Sequence, residues 1–387
     1  MVRYGAAAVV AAALFVWALL LFKPYDADRT KAFLVPAGAA FGAILQRSRF
    51  CFASGFRDLF LLRDRRVMLG LLAALAVGSA GYLVVFGLRV PDAFHTEGFP
   101  RAAHISPAGW HVIAGGLSFG LGMVLAGGCI SGSLYRLGEG NLTAPVTLAA
   151  AGLGYWLGFL AWPFLWVNTV ATAPVVWLPK HLGWAGSMAL YLAAFAGLAA
   201  LLLWKFPAMP PKPAEPVTLP VALRRGFRDG WPAVVGGAAI GVLATFTYQH
   251  NQPLGVTSEL GRQSRQRANE LGLTFNLPGL DQMRGCSAIV GESGLTPNAI
   301  FVLSLVGGSL VMALLAGEFR WRVGRPRTYL LGAVGGVLLG FGAMISLGCT
   351  VGTLLSGVMA FSLSGWLFAL GLAGGAWAGG RVLKALA

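Results

Sequence analysis

The chain has 387 residues, of which 57% are hydrophobic and only 11% are charged, and its formal net charge is +15. This composition excludes an ordinary soluble domain, because so few charged residues cannot cover the surface of a protein of this size. Apolar stretches long enough to cross a membrane recur without a two-residue alternation, so we predict an all-α integral membrane protein and not a β-barrel. The positive charge lies in short loops, where it indicates membrane topology and not nucleic-acid binding.

About ten hydrophobic helical segments are predicted in chain order. They lie near residues 4–22, 33–50, 67–88, 109–128, 144–166, 184–204, 231–248, 298–317, 328–348 and 364–383. A proline-rich stretch predicts an extended cytoplasmic linker at 206–230. It separates a first membrane half, 1–205, from a second half, 231–387, and the two form one integrated membrane domain. Alternate threading of the segments puts most basic residues on the side of both termini, which predicts cytoplasmic termini.

Two glycine-rich segments are close copies of each other. Gly115–Leu134 reads GGLSFGLGMVLAGGCISGSL and Gly335–Leu354 reads GGVLLGFGAMISLGCTVGTL, and they align without a gap. A shorter pair, GAAFG at Gly38–Gly42 and GAAIG at Gly237–Gly241, agrees with this duplication. Because the threading sends the copies in opposite directions, the sequence predicts two inverted repeats, an arrangement typical of transporters. A count that differed by one span would make the repeats parallel.

Each long copy is built around a Gly-Cys step, Gly128-Cys129 and Gly348-Cys349. Glycine permits a helix to break near the membrane midplane, which would place each thiol at the start of a half-helix beside free N–H groups. Such a helix start attracts anions. The alternative is packing alone, since glycine rows let helices approach closely and a cysteine can act as a small apolar residue. The presence of the same step in both halves favours a functional role.

Several polar residues adjoin apolar segments. Arg284 stands two residues before Cys286 in a glycine-bounded turn, so we include both in the candidate site. Arg136 and Glu139 are three residues apart and can pair on one helical turn. The hydrophilic stretch 249–283 predicts a helix on a membrane face with its arginines in water, or alternatively an anion-collecting vestibule. No paired histidines, zinc-type cysteine spacing, paired-carboxylate site or P-loop is found, so we predict neither a cofactor nor an enzyme.

The cysteine motifs together resemble the YeeE/YedE family of sulfur-compound transporters. The matching elements are RSRFCF around Cys51, GGCISGSLYRLGEGN around Cys129, RGCS around Cys286, GCTVGTLLSG around Cys349, and SLSGW at Ser362–Trp366. They cover both halves of the chain. The resemblance implies an all-helical importer of thiosulfate or a related sulfur anion in the bacterial inner membrane.

The resemblance also implies roles for individual residues. Cys51, Cys129 and Cys349 are expected to contact the sulfur of the substrate, whereas Cys286 has no clear counterpart. Besides lipid and the anion, the implied partner is a small cytoplasmic sulfur-carrier protein. Two alternatives stay open. The proline-rich connection and RDLFLLRD at Arg57–Asp64 look like the YedE branch, which is linked to selenium metabolism, and a membrane redox or sulfur-transfer subunit would also use cysteines.

Overall fold

A computed structural model of the protein describes residues 2–22, 29–95, 98–100, 102–206, 226–227, 229–250, 252–273, 275–282 and 295–386. Most of the predicted linker, and also Arg284 and Cys286, lie outside these described residues. Within them the named elements of secondary structure are all helices.

Fourteen helices in the described ranges make up the fold. Those before the linker are α1 (Val2–Leu21), α2 (Arg29–Ser48), α3 (Phe52–Leu61), α4 (Arg66–Arg89), α5 (Trp110–Leu125), α6 (Ile130–Gly138), α7 (Thr143–Leu165) and α8 (Leu178–Lys205). Those after it are α9 (Ala233–His250), α10 (Thr257–Glu270), α11 (Pro297–Ala316), α12 (Pro326–Ile345), α13 (Thr350–Met359) and α14 (Leu363–Leu386). The first seven residues of α13, Thr350–Ser356, are π-helical.

Helix α11 shows how the sequence sets the ends of these elements. Thr296 precedes it and its hydroxyl accepts a hydrogen bond from the N–H of Ala299 at 3.1 Å, which satisfies one of the N–H groups left over at a helix start. Pro297 occupies the first turn, where a missing N–H costs little. Gly317 ends the helix with a left-handed φ of 73°, a conformation that glycine adopts without strain.

All ten predicted hydrophobic segments coincide with helices of the structure. Seven of the described helices are long and apolar enough to cross a membrane, which confirms a multi-pass, all-helical membrane protein. Three predicted segments, in α2, α9 and α14, form helices that are not among those seven. The number of ten spans therefore stays a prediction.

The helix ends collect on two faces of the molecule. We call the side that carries Arg47, Glu139 and Arg320 the Arg face. There the amide of Arg320 donates to the carbonyl oxygen of Glu139 at 3.2 Å. On the opposite face Arg89 donates to the carbonyl oxygen of Gln249 at 3.0 Å, and Trp184 donates to that of Val90 at 3.1 Å.

The two glycine-rich copies pack directly against each other through α5 and α12. A Cβ on Gly122 would lie 2.7 Å from the carbonyl oxygen of Gly335, and a Cβ on Gly342 would lie 2.6 Å from that of Gly115. Because earlier residues of one helix meet later residues of the other, the two helices are antiparallel. Gly115 and Gly335 occupy the same position in the two copies, and so do Gly122 and Gly342. Each contact therefore pairs the first position in one copy with the second position in the other. The inverted repeat stays a prediction, and this reciprocal contact supports it.

The hydrophilic stretch forms the predicted helix, α10, but the expectation that its arginines lie in water is wrong for two of them. The side chains of Arg262 and Arg265 are only 14% and 16% exposed, and they pair with Glu259 at 2.7 Å and with Asp281. Although burial opposes it, hydrogen bonds from Arg262, Thr296 and others hold the pKa of Glu259 below its usual value. Acidic partners thus replace water around the guanidinium groups of Arg262 and Arg265. The exposed Arg267 fits the expectation.

Candidate functional site

Each of the three described cysteines stands immediately before a short helix. Cys51 precedes α3, Cys129 precedes α6 and Cys349 precedes α13. The thiol of Cys129 accepts from the N–H of Gly132, and that of Cys349 accepts from the N–H of Val351, both at 3.4 Å. All three residues are buried. A helix start carries partial positive charge, so each thiol lies where an anion is favoured.

The break predicted at each Gly-Cys step is present in the structure. Helix α5 ends before Gly127, which has a left-handed φ of 70°, and α12 ends before Leu347, which has a φ of 59°. These residues occupy matching positions in the two copies, two places before each cysteine. Glycine adopts this conformation freely, whereas a leucine there costs about 1 kcal/mol. The chain therefore keeps the same backbone turn in both halves even where the residue type opposes it.

The first site joins two cysteines that are far apart in the sequence. The thiols of Cys51 and Cys129 are hydrogen-bonded to each other. Gly132 lies against both, because a Cβ there would be 2.9 Å from Sγ of Cys51 and 3.5 Å from Sγ of Cys129. The hydroxyl of Ser131 is 3.2 Å from Sγ of Cys129. The α2–α3 turn and the α5–α6 break thus form one sulfur site.

A basic cavity of about 640 Å³ leads from the Arg face to Cys51. Its charged lining residues are five arginines and two aspartates: Arg47, Arg49, Arg57, Arg66, Arg136, Asp58 and Asp64. Backbone and aromatic groups complete the wall. An excess of positive charge in a concave site raises the local concentration of anions. The cavity, which we call the arginine cavity, therefore favours an anionic ligand beside the thiol pair.

A buried polar network borders the arginine cavity. The amide of Gln46 donates to Glu139 at 3.3 Å and to Glu318 at 2.7 Å, and Arg47 lies 3.4 Å from Glu318. The expected pairing of Arg136 with Glu139 is therefore wrong, because Glu139 accepts a hydrogen bond from Gln46 instead. No local spacing signal could have found this contact, because it joins α2 to the end of α6.

The second site is enclosed differently. Cys349 is 1% exposed, and a Cβ on Gly348 would lie 3.1 Å from Cε1 of His104. Nε2 of His104 is 3.1 Å from the hydroxyl of Thr353. Burial lowers the pKa of His104 to about 4, so its ring is neutral at neutral pH. The sequence analysis found no paired histidines and gave His104 no role.

The two sites lie at different depths along the molecule. Ala126, at the first break, is level with Gly335, and Ser346, at the second, is level with Gly115. The stretch of α12 between those levels spans about 16 Å. The structure thus brings Cys51 and Cys129 together and places Cys349 apart from them. Within the described residues, no three His, Cys, Asp or Glu side chains lie close enough to hold a metal ion together.

Comparison with known proteins gives a consistent result. Residues 47–378 match the family model described as "Sulphur transport". The chain is 29% identical over 352 residues to "Thiosulfate transporter TsuA" of Spirochaeta thermophila, covering 88% of this chain and 95% of the relative. It is 28% identical over 358 residues to TsuA of Escherichia coli, covering 88% and 91%. It is 31% identical over 173 residues to "Probable transporter YedE" of Escherichia coli, covering 43% of this chain and 39% of the relative.

Proposed function

Because the chain belongs to the sulphur transport family, we propose that it carries thiosulfate or a closely related sulfur anion across the bacterial inner membrane. The observation that carries this proposal is the hydrogen-bonded thiol pair of Cys51 and Cys129 at the end of the arginine cavity. Two relatives named as thiosulfate transporters align over most of the chain, which supports the same substrate. The direction of transport is inward.

The chemistry of the site suits such an anion. Thiosulfate has a soft, polarizable terminal sulfur and charged oxygens at its other end. A thiol is a weak donor and a weak acceptor, so it can contact the sulfur without holding it tightly. The N–H groups at the starts of α3 and α6 favour the negative charge. A site that combines both groups distinguishes thiosulfate from sulfate, which has no terminal sulfur.

We propose that the anion passes from Cys349 to the thiol pair and leaves through the arginine cavity. Several weak sites in series let an ion enter and still leave. Gly128 and Gly348 stand directly before the cysteines and also belong to the proposed route. Arg284 and Cys286 stay predicted members of this route. We also propose that the Arg face is cytoplasmic and that a small sulfur-carrier protein receives the anion there.

The test is uptake of labelled thiosulfate by a strain that lacks its own importers, with sulfate, sulfite and selenite as competitors. We expect the parent protein to restore uptake, and Cys129→Ala and Cys349→Ala to reduce it to background. Cys51→Ala should also impair uptake, because it removes one half of the thiol pair. Membrane insertion and monodispersity in detergent serve as controls for folding.

Normal uptake by well-folded Cys129→Ala and Cys349→Ala variants would overturn the proposed pathway. If the parent protein takes up another tested anion but no thiosulfate, that other anion is the substrate and the proposal of thiosulfate is wrong. Uptake of selenite in preference to thiosulfate would favour a selenium compound.

A further inference from the structure

Arg136 lies at the inner end of the arginine cavity, on the same short helix that Cys129 begins. It follows Cys129 by about two helical turns, so both residues are on one side of α6. Its guanidinium reaches back along α6 toward the break. A Cβ on Gly128 would lie 3.2 Å from Nη1 of Arg136, and a Cβ on Gly127 would lie 3.5 Å from the same atom. The guanidinium therefore sits beside the backbone that leads into the thiol pair.

The other four arginines of the cavity lie within 4.0 Å of a carboxylate, and Arg47 and Arg49 share Glu318. These pairs are Arg57 with Asp58 at 2.7 Å, Arg66 with Asp64 at 4.0 Å, Arg49 with Glu318 at 3.1 Å, and Arg47 with Glu318 at 3.4 Å. Their charges are thus partly cancelled within the protein.

Arg136 differs from these four residues. Among the described residues no carboxylate pairs with it, and its guanidinium donates to the hydroxyl of the neighbouring Tyr135. Glu139, the nearest acid on its own chain segment, accepts from Gln46 instead. Arg136 is half-buried, and a charge withdrawn from water without a counter-ion is costly. The site is therefore built to receive an anion from solution.

We infer that Arg136 binds the oxygen end of the transported anion. The terminal sulfur of the anion then contacts the thiols of Cys51 and Cys129. This inference rests on the proposed function and adds the residue that selects for charge. A guanidinium presents parallel N–H donors that match two oxygens of an oxyanion. The substrate class of this site is then an anion with two unlike ends, oxygens for Arg136 and a soft sulfur for the thiols. Both features are needed for tight binding.

The first experiment measures the concentration dependence of thiosulfate uptake in Arg136→Gln and Arg136→Lys. We expect Arg136→Gln to raise KM about ten- to a hundredfold, because it removes a charged hydrogen-bonding partner. Arg136→Lys keeps the charge but loses the paired donors, so its KM should lie between those of Arg136→Gln and the parent. Arg325→Gln removes the same charge from an exposed position directly before α12, outside the lining of the arginine cavity. This matched control should change KM by no more than about twofold.

A second experiment does not depend on transport. In a variant with Cys51 as its only cysteine, thiol labelling is compared between a sulfonate-bearing and a trimethylammonium-bearing methanethiosulfonate reagent of similar size. With Arg136 present the anionic reagent should react at least about tenfold faster, because a positive cleft concentrates anions. Arg136→Gln should remove most of this preference, and Arg325→Gln should not.

The outcomes separate the two proposals. An unchanged KM in Arg136→Gln, or an unchanged labelling preference, would overturn the role of Arg136. A parent protein that takes up no thiosulfate, yet shows a labelling preference that depends on Arg136, would overturn the proposed substrate and leave the anion-binding role standing.

Discussion

In the first half of the chain Cys129 follows a break at Gly127, and in the second half Cys349 follows a break at Leu347. The backbone is the same at both places, with a left-handed residue, a glycine and a cysteine that begins a short helix. The surroundings are not the same. The thiol of Cys129 is hydrogen-bonded to that of Cys51, which lines the arginine cavity, whereas the Gly348-Cys349 step packs against His104.

This difference separates two properties of a cysteine site. The repeated backbone fixes the thiol at a helix start in both halves, and this follows from a glycine-containing sequence that each half carries. Access to the thiol depends on neighbours contributed by other elements, and these are not repeated. The first copy consequently adjoins Cys51, which lines the arginine cavity, and the second packs against the segment that precedes α5.

Thiol labelling gives the largest expected difference between the two sites. Cys51 and Cys349 are 2% and 1% exposed, but Cys51 lines the arginine cavity, whereas the Gly348-Cys349 step lies against His104. In variants with a single cysteine, a small water-soluble reagent should label Cys51 about a hundredfold faster than Cys349, because Cys349 reacts only after local opening. The measurement is the labelling rate by mass spectrometry. Equal rates at the two positions would show that both thiols are reached from water in the same way.

Alanine at the glycine before each cysteine should sharpen the comparison. A Cβ on Gly348 would overlap the hydroxyl of Thr353, whereas a Cβ on Gly128 would meet only the movable end of Arg136 at 3.2 Å. We expect Gly348→Ala to lower the free energy of unfolding by about 1–3 kcal/mol, as overpacking of a buried site does. Gly128→Ala should cost less and should act mainly on uptake. Thermal unfolding in detergent and uptake assays measure the two effects, and equal destabilisation by both substitutions would contradict this account.

Mild acid should give the smallest of these effects, and it concerns the enclosed site. The pKa of His104 is lowered by burial to about 4, so on lowering the pH the unfolded chain takes up a proton before the folded protein does. Stability therefore falls as the pH drops below about 6.5, by roughly 1 kcal/mol at pH 5.5, and continues to fall toward pH 4. His104→Gln lacks this group and should show a shallower pH dependence of the melting temperature. Parallel curves for the two proteins between pH 7 and pH 5 would contradict the buried neutral state.

The sequence predicted the parts of the site that depend on local pattern. Long apolar stretches located the helices, and the repeated Gly-Cys step located both breaks, because the preferences of glycine act on the residues next to it. The resemblance to a known family added Cys51. The contact between Cys51 and Cys129 was not predicted, since it depends on how α3 and α6 pack.

The same limit explains the wrong expectations. Arg136 and Glu139 have the spacing of a helical pair, but Gln46 from α2 binds Glu139. Arg262 and Arg265 look solvent-exposed in the sequence, but Glu259 and Asp281 pair with them. For Glu139 and Arg265 the deciding partner comes from another element, which a single sequence does not record. Glu259 stands three residues before Arg262 on α10, so that pair was visible in the spacing and was missed.

The glycine contacts between α5 and α12 also bear on how this protein can move. No side chain separates the two backbones where Gly115 meets Gly342 and Gly122 meets Gly335. Sliding or tilting one helix on the other would drive main-chain atoms into contact or pull them apart, and packed interiors resist such changes. We therefore expect these two helices to move as one unit, so that any opening of the molecule would involve other elements, such as the short helices α3, α6 and α13.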